Sequence, residues 1–236
     1  MHNSSPLNAR KMPSYAKSLF LATLLFLTPT LVLSTESAKP ADAMPPDVLA
    51  RQITDEVFEI VRQDEAIKDG DYKKAAALVE KLVLPHFNFR RMTMLAVGKS
   101  WRRATSEQRS ALINEFRSLL IRTYASALTE LSSEQEIKYK PLRMQPGDTD
   151  VNVKAEFRQS AGAPPVQLEY AMRNSGEGWK AFDVLVDGVS MVLNYRQTFT
   201  QEIKKSGIDG LIKTLGRKDR EESAAKSKET SEEKTE

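Results

Sequence analysis

Cysteine is absent from the 236-residue chain. This excludes a disulfide framework, thiolate zinc sites, iron–sulfur clusters, a cysteine nucleophile and lipidation of an N-terminal cysteine. Histidine is nearly absent, with His2 and His86 the only two, which leaves little for a histidine-based metal site. An excess of one charge is missing too. The formal net charge is +3, and residues 44–216 hold 25 basic against 23 acidic residues, so there is no strong basic field for a nucleic-acid footprint. A long hydrophobic run is lacking as well: Leu19 to Leu33 is broken by Thr23, Thr28, Pro29 and Thr30 and falls short of the roughly 20 residues that cross a bilayer.

What is present is the material of a globular protein, 40% apolar and 28% charged. Arg10, Lys11 and Lys17 precede the apolar run, and Ala41-Asp42-Ala43 follows it. A positive start, an apolar middle and an A-x-A end make residues 1–43 a secretory signal; the alternative is an uncleaved anchor helix. No twin arginine precedes the run, so export as an unfolded chain is expected. Residues 44–216 then form one folded domain. Residues 217–236 are rich in Lys, Glu and Ser, with no apolar residue larger than alanine, and are expected to be a charged, disordered tail.

Helices are expected first. Asp47 is placed to cap a helix carrying Val48, Leu49, Ile53, Val57, Ile60 and Val61 at helical spacing. Asp69-Gly70-Asp71 opens a second helix, stopped by Pro85, and a third covers Arg90 to Val97 with Gly98 as its end. Thr105 and Gln108 have capping-box spacing and start the longest helix, predicted from Ser106 to Leu131. Beyond Ser133 the apolar period becomes two. Segments around Ile137–Pro141, Val151–Phe157, Val166–Met172 and Trp179–Val186 predict a four-stranded antiparallel meander, the fourth strand apolar on both faces. Asp187-Gly188 turns the chain into a last helix through Val189, Val192, Leu193, Phe199 and Ile203, broken at Gly207. The fold class is α+β, with N-terminal helices and long helices packed on the sheet.

Candidate chemistry is thin. His86 sits at a helix end. Asp183 and Asp187 are an i, i+4 carboxylate pair, with a turn and an arginine partner as the competing readings. Ser190 has no histidine to activate it, and Gly176-Glu177-Gly178 is a hairpin turn because no helix follows it. What is plentiful is apolar surface, and a filled core and a hollow one require the same side chains.

The stretch Arg122-Thr123-Tyr124-Ala125-Ser126-Ala127-Leu128 resembles a known family. So do Gly98-Lys99-Ser100-Trp101-Arg102 leading into Thr105–Arg109, and Gly178-Trp179-Lys180-Ala181-Phe182-Asp183-Val184. Gly188-Val189-Ser190, Asn194-Tyr195-Arg196, Phe199, Glu202-Ile203 and Gly207-Ile208 continue the likeness. The family is that of the MlaC-type (toluene-tolerance) periplasmic phospholipid-binding proteins, and the resemblance spans roughly residues 48 to 216.

The resemblance implies a cone-shaped α+β domain similar to nuclear transport factors, with an apolar cavity for the acyl chains and the headgroup near solvent. It implies no enzyme activity and no cofactor, with phospholipid as ligand. The implied partners are an outer-membrane lipoprotein–porin complex and an inner-membrane ABC transporter with its lipid-binding subunit. The implied role is to maintain outer-membrane lipid asymmetry from the periplasm. Periodicity then nominates Tyr124, Leu128, Val153, Phe157, Leu168, Tyr170, Met172, Phe182, Val184, Val189, Leu193 and Phe199 as cavity-lining residues. Trp101 and Arg196 are weaker candidates for headgroup or partner contact. The alternative function is an exported cone-fold enzyme acting on a hydrophobic small molecule through Asp183 or Asp187; a third is an interaction scaffold without ligand.

Overall fold

The computed structural model describes residues 44–232, apart from 133, 160 and 161. The expected signal, residues 1–43, lies outside the described residues, as do the last four of the tail.

Helix α1 (Pro46–Gln63) starts on Pro46, whose fixed φ and missing N–H suit a first turn. Pro45, not Asp47, occupies the cap. Asp47 stands inside the first turn, where its charge favours the positive end of the helix dipole. Short helices α2 (Glu65–Lys68) and α3 (Tyr72–Leu78) follow. Asp64 and Asp71 cap them by accepting from the Ile67 and Lys74 amides at 3.2 and 3.0 Å. Helix α3 widens into a π turn at Val79–Val83 and a 3₁₀ turn at Leu84–His86, where Pro85 ends the run. Asn88 caps α4 (Phe89–Val97) through the Arg91 amide at 2.9 Å, and Gly98 stops it at φ 64°.

Helix α5 (Ser106–Tyr124) opens on the expected capping box: the Gln108 amide donates to Thr105 Oγ1 at 3.2 Å and the Thr105 amide to Gln108 Oε1 at 3.1 Å. It ends at Tyr124, not at Leu131. The chain tightens there into a 3₁₀ turn, Ala125–Leu128. The Thr123 and Thr129 hydroxyls donate to the carbonyls of Leu119 and Ser126, both at 2.8 Å, the local competition that bends or ends helices.

The sheet is an antiparallel meander in the order β1-β2-β3-β4-β5: Glu136–Tyr139, Asp150–Arg158, Val166–Asn174, Trp179–Val186 and Val189–Ser190. It has five strands where four were expected. Asp187 (φ 49°) and Gly188 (φ 80°) both lie in the left-handed region, the geometry of the two-residue hairpin turn that Asp-Gly favours. That turn folds Val189 and Ser190 back onto Val186 and Leu185. Helix α6 (Met191–Glu232) follows, broken at Gly207 (φ 73°, ψ −177°), as the sequence indicates. It continues to Glu232, through a stretch whose composition predicts disorder. Lys, Glu and Ala are strong helix formers, and extending a formed helix needs no new nucleus.

A β-bulge sets the orientation of β4. Met172 pairs with Ala181 but Ala171 pairs with Asp183, so Phe182 is the extra residue. Cross-strand partners share a face: Ala181 and Val184 therefore lie with Met172 and Tyr170, while Phe182 turns away into the core of α4, α5 and α6. That core is built on Leu112, Phe116, Val192 and Phe199. Phe116 and Phe199 meet edge-on with centroids 5.4 Å apart. A second cluster joins α1 to the sheet through Ala50, Val153, Met172, Trp179 and Ala181, and a third joins α1 to α3. None of the helices among the described residues is long and apolar enough to cross a membrane.

Candidate functional site

Between the inner sheet face and the helices lie two adjacent cavities. The first, about 220 Å³, has walls from the π turn and its successor (Val79, Val83, Leu84, Phe87), from α4 (Phe89, Met92), from the end of α5 (Leu120, Ile121, Tyr124, Ala125, Leu128) and from Val184 and Met191. The second, about 150 Å³, is walled by α1 (Ala50, Ile53, Thr54, Val57, Phe58), by Val83, His86 and Phe87, and by the sheet (Ile137, Tyr170, Met172, Ala181). Val83 and Phe87 line both.

No charged side chain lines either cavity at neutral pH. Tyr124 is the one polar side chain in the first; Thr54, His86 and Tyr170 are those in the second. Burial, with Tyr195 beside it, pushes the Tyr124 hydroxyl up to about 12. Burial likewise raises Tyr170 and Tyr139, whose rings stack 6.4 Å apart. The Tyr139 hydroxyl donates to the Ala50 carbonyl at 3.0 Å and accepts from Thr54 at 2.6 Å, which fastens α1 to β1. Burial and Lys180 lower the His86 pKa, against an opposing pull from Glu56, so the imidazole is neutral at pH 7. Such walls give a water molecule few of the two to four partners it needs.

Of the residues nominated from periodicity, the structure brings Tyr124, Leu128 and Val184 to the first cavity and Tyr170 and Met172 to the second. Val153 is wholly buried beneath α1. Phe157 and Leu168 share the inner face, beside Ile137 and Val186, but line neither cavity. Phe182 lies under the Arg91 guanidinium at 4.1 Å, on the far side of the bulge. Phe199 is sealed between Phe116 and Tyr195. Val189 and Leu193 are exposed, at 63% and 44%, because β5 and the first turn of α6 turn them outward. The lining residues absent from those nominations come mostly from segments 79–87 and 50–58; Val79 lies on the predicted apolar face of the second helix with Ala75, Leu78 and Leu82, whereas Val83 follows inside the π turn, which breaks the 3.6 period.

The carboxylate candidates have structural partners. Asp183 is buried and accepts from the Ser190 hydroxyl and from the amides of Val184 and Val192, at 2.9 and 3.2 Å for the amides. Ser190 in turn accepts from the Leu193 amide at 2.9 Å. Together they cap α6, so the partner of Asp183 is a helix start and not an arginine. The Asp187 amide donates to the Gln167 carbonyl and its side-chain Oδ1 accepts from the Gln167 amide, both at 2.8 Å. Trp101 is buried between the Arg90 and Arg109 guanidinium groups, 6.0 and 5.5 Å from its ring, and Arg196 packs over Gly98; neither reaches the cavities. Among the described residues no three His, Cys, Asp or Glu side chains converge as metal ligands.

A family model described as MlaC protein matches residues 51–217. The chain is 28% identical over 199 residues, 83% of its length and 90% of the relative's, to the intermembrane phospholipid transport system binding protein MlaC of Haemophilus influenzae. It is 30% identical over 115 residues to the toluene tolerance protein ttg2D of Pseudomonas putida, which covers 48% of this chain and 51% of the relative. Among solved structures, a phospholipid-binding protein from Ralstonia solanacearum in complex with a phospholipid superposes with a TM-score of 0.68 at 32% identity, covering 75% of this chain and 98% of that one.

Proposed function

Because the chain belongs to the MlaC family, we propose that it is an exported carrier that takes the acyl chains of a phospholipid into its two joined cavities. It moves that lipid through the periplasm between the outer and inner membranes. The observation that carries this reading is the pair of cavities without charged walls that share Val83 and Phe87, in a chain that superposes on a phospholipid-bound relative.

The physics favours such a site. Each buried CH₂ contributes about 0.8 kcal/mol, so two chains of about 16 carbons have no useful free concentration in water and need a dry container. The container performs no reaction on them; the role is binding and release. Ligand pockets commonly enclose about 300–1,000 Å³, and each cavity alone is smaller (about 220 and 150 Å³). A diacyl lipid therefore needs both cavities, with the sheet and the ends of α5 and α6 moving apart as it enters. The expected membrane partners are an outer-membrane lipoprotein–porin complex and an inner-membrane ABC transporter with its lipid-binding subunit, and the expected outcome is maintained lipid asymmetry of the outer membrane.

The test is transfer. Donor vesicles carrying a labelled phospholipid are incubated with label-free acceptors, with and without the protein. Label reaching the acceptors in proportion to protein concentration supports the carrier; transfer no faster than the protein-free rate rejects it.

A further inference from the structure

The near balance of charge over the domain conceals a local separation. From Lys81 to Asn114 the sequence holds seven basic residues and one acid, Glu107. The fold gathers most of these cations where α4 passes into α5, around the 3₁₀ turn Gly98–Arg103. Buried Trp101 anchors the group: the Arg90 and Arg109 guanidinium groups stand 6.0 and 5.5 Å from its ring, and Arg109 donates to the Trp101 carbonyl at 3.2 Å. Lys99, Arg102 and Arg103 are exposed on the same turn. Arg196 of α6 completes it, its guanidinium lying against Gly98, where an added Cβ would stand 3.1 Å from its nitrogens. None of these six takes part in an ion pair among the described residues; the hydrogen bonds of Arg103 and Arg109 go to the Ser100 hydroxyl and to backbone carbonyls. Set those six aside and residues 44–216 carry more acids than bases.

Cations held together without acids repel one another and present their field to a partner of opposite sign. We propose that this face docks on an anionic phospholipid bilayer. A protein partner needs an apolar centre in the interface, and no large apolar side chain of residues 90–109 is exposed. An anionic bilayer needs only charge, and clusters of about four to eight Lys and Arg are what such a surface attracts. A second observation points the same way. Exposed Leu193 stands one turn before Arg196 on the same side of α6, with exposed Val189 ahead of it. Apolar side chains beside a basic face are the pattern of interfacial binding. Met191, two residues before Leu193, lines the first cavity, so the docking face and that cavity share the start of α6.

The experiment is sedimentation of the full chain with vesicles, either of phosphatidylcholine alone or of phosphatidylcholine and phosphatidylglycerol in equal amounts. Two triple variants accompany the wild type. Lys99→Gln with Arg102→Gln and Arg103→Gln removes three cations of the patch. Lys73→Gln with Lys81→Gln and Arg143→Gln removes three exposed, unpaired cations from other elements. The wild type should sediment with the anionic vesicles only, and lose that binding when salt rises from about 0.1 to about 1 M and the screening length falls from about 10 to about 3 Å. The patch variant should bind about a hundred-fold more weakly, about five-fold for each charge removed, and the control variant within about five-fold of the wild type. Equal losses in the two variants, or equal wild-type binding to the two vesicles, overturn the docking face. So does binding to neither, which would leave an acidic protein as the partner of the patch. Sedimentation does not require lipid to enter the cavities, so its failure and that of the carrier reading are separate results.

Discussion

Leu128 stands in the wall of the first cavity, half-buried at the margin of the α1–α3 cluster. Replacing it with tryptophan fills space that the account reserves for an acyl chain. Leu128→Trp should keep its thermal midpoint while its lipid content falls by at least half; equal lipid content would show that the first cavity is not where chains go. Phe116, wholly buried between Tyr195 and Phe199, predicts the opposite pattern. Phe116→Ala should lose about 3–5 kcal/mol in urea unfolding, because a core ring is removed and no cavity wall is touched. Ser190 separates structure from chemistry: as a helix cap its loss to alanine should lower stability by about 1 kcal/mol with transfer unchanged, and abolished transfer in a folded variant would give it a functional part. Single residues were the least legible feature in the sequence. Tyr170 and Met172 follow from simple alternation. Phe182 does not, since a bulge reverses the phase of β4 and nothing in the string of residues marks where the extra one falls. Val184 shares that stripe, and it reaches the cavity because it lies beyond the bulge.

Elements were far more legible, because their ends carry their own chemistry. Thr105 with Gln108, Gly98 after α4, and Asp187-Gly188 each act within a few residues, and each appears where its local physics puts it. What escaped was the π turn at Val79–Val83, the early end of α5, where threonine hydroxyls compete for nearby carbonyls, and the two-residue strand that depends on Val186 being there to receive it. Two predictions belong here. The Arg173 guanidinium donates to both oxygens of Asp150 at 2.6 Å, with Arg91 at 3.9 Å, and holds its carboxyl below the ordinary 3.8 against the opposing effect of burial. A lowered folded pKa contributes stability that is present above the ordinary value and is lost as pH falls through the lowered one. Unfolding midpoints measured from pH 6 to pH 2 should therefore drop less steeply in Asp150→Asn than in the wild type; parallel curves would deny the pair any role. The second concerns Gly207, whose φ of 73° with ψ near 180° is open essentially to glycine alone. Gly207→Ala should cost about 1–3 kcal/mol, read as a lower thermal midpoint, and no change would mean the break in α6 relaxes freely.

For the molecule as a whole, one contrast governs the reading. Its helical half packs around Phe116 and Phe199, while two cavities that share Val83 and Phe87 lie between that half and the sheet-facing one. Composition is silent on this difference, since both halves draw on the same aliphatic and aromatic residues; only the resemblance to a lipid-binding family pointed to hollowness before the coordinates did. A void lined by apolar side chains forgoes contacts that packing would supply, and a chain that keeps two of them side by side does so for something that fills them. The direct check is to purify the protein from its native cells without detergent, extract it with organic solvent and quantify the extract by mass spectrometry against protein. Diacyl phospholipid at about one molecule per chain, reduced in Leu128→Trp, is the result predicted; a wild-type extract free of phospholipid would contradict the account.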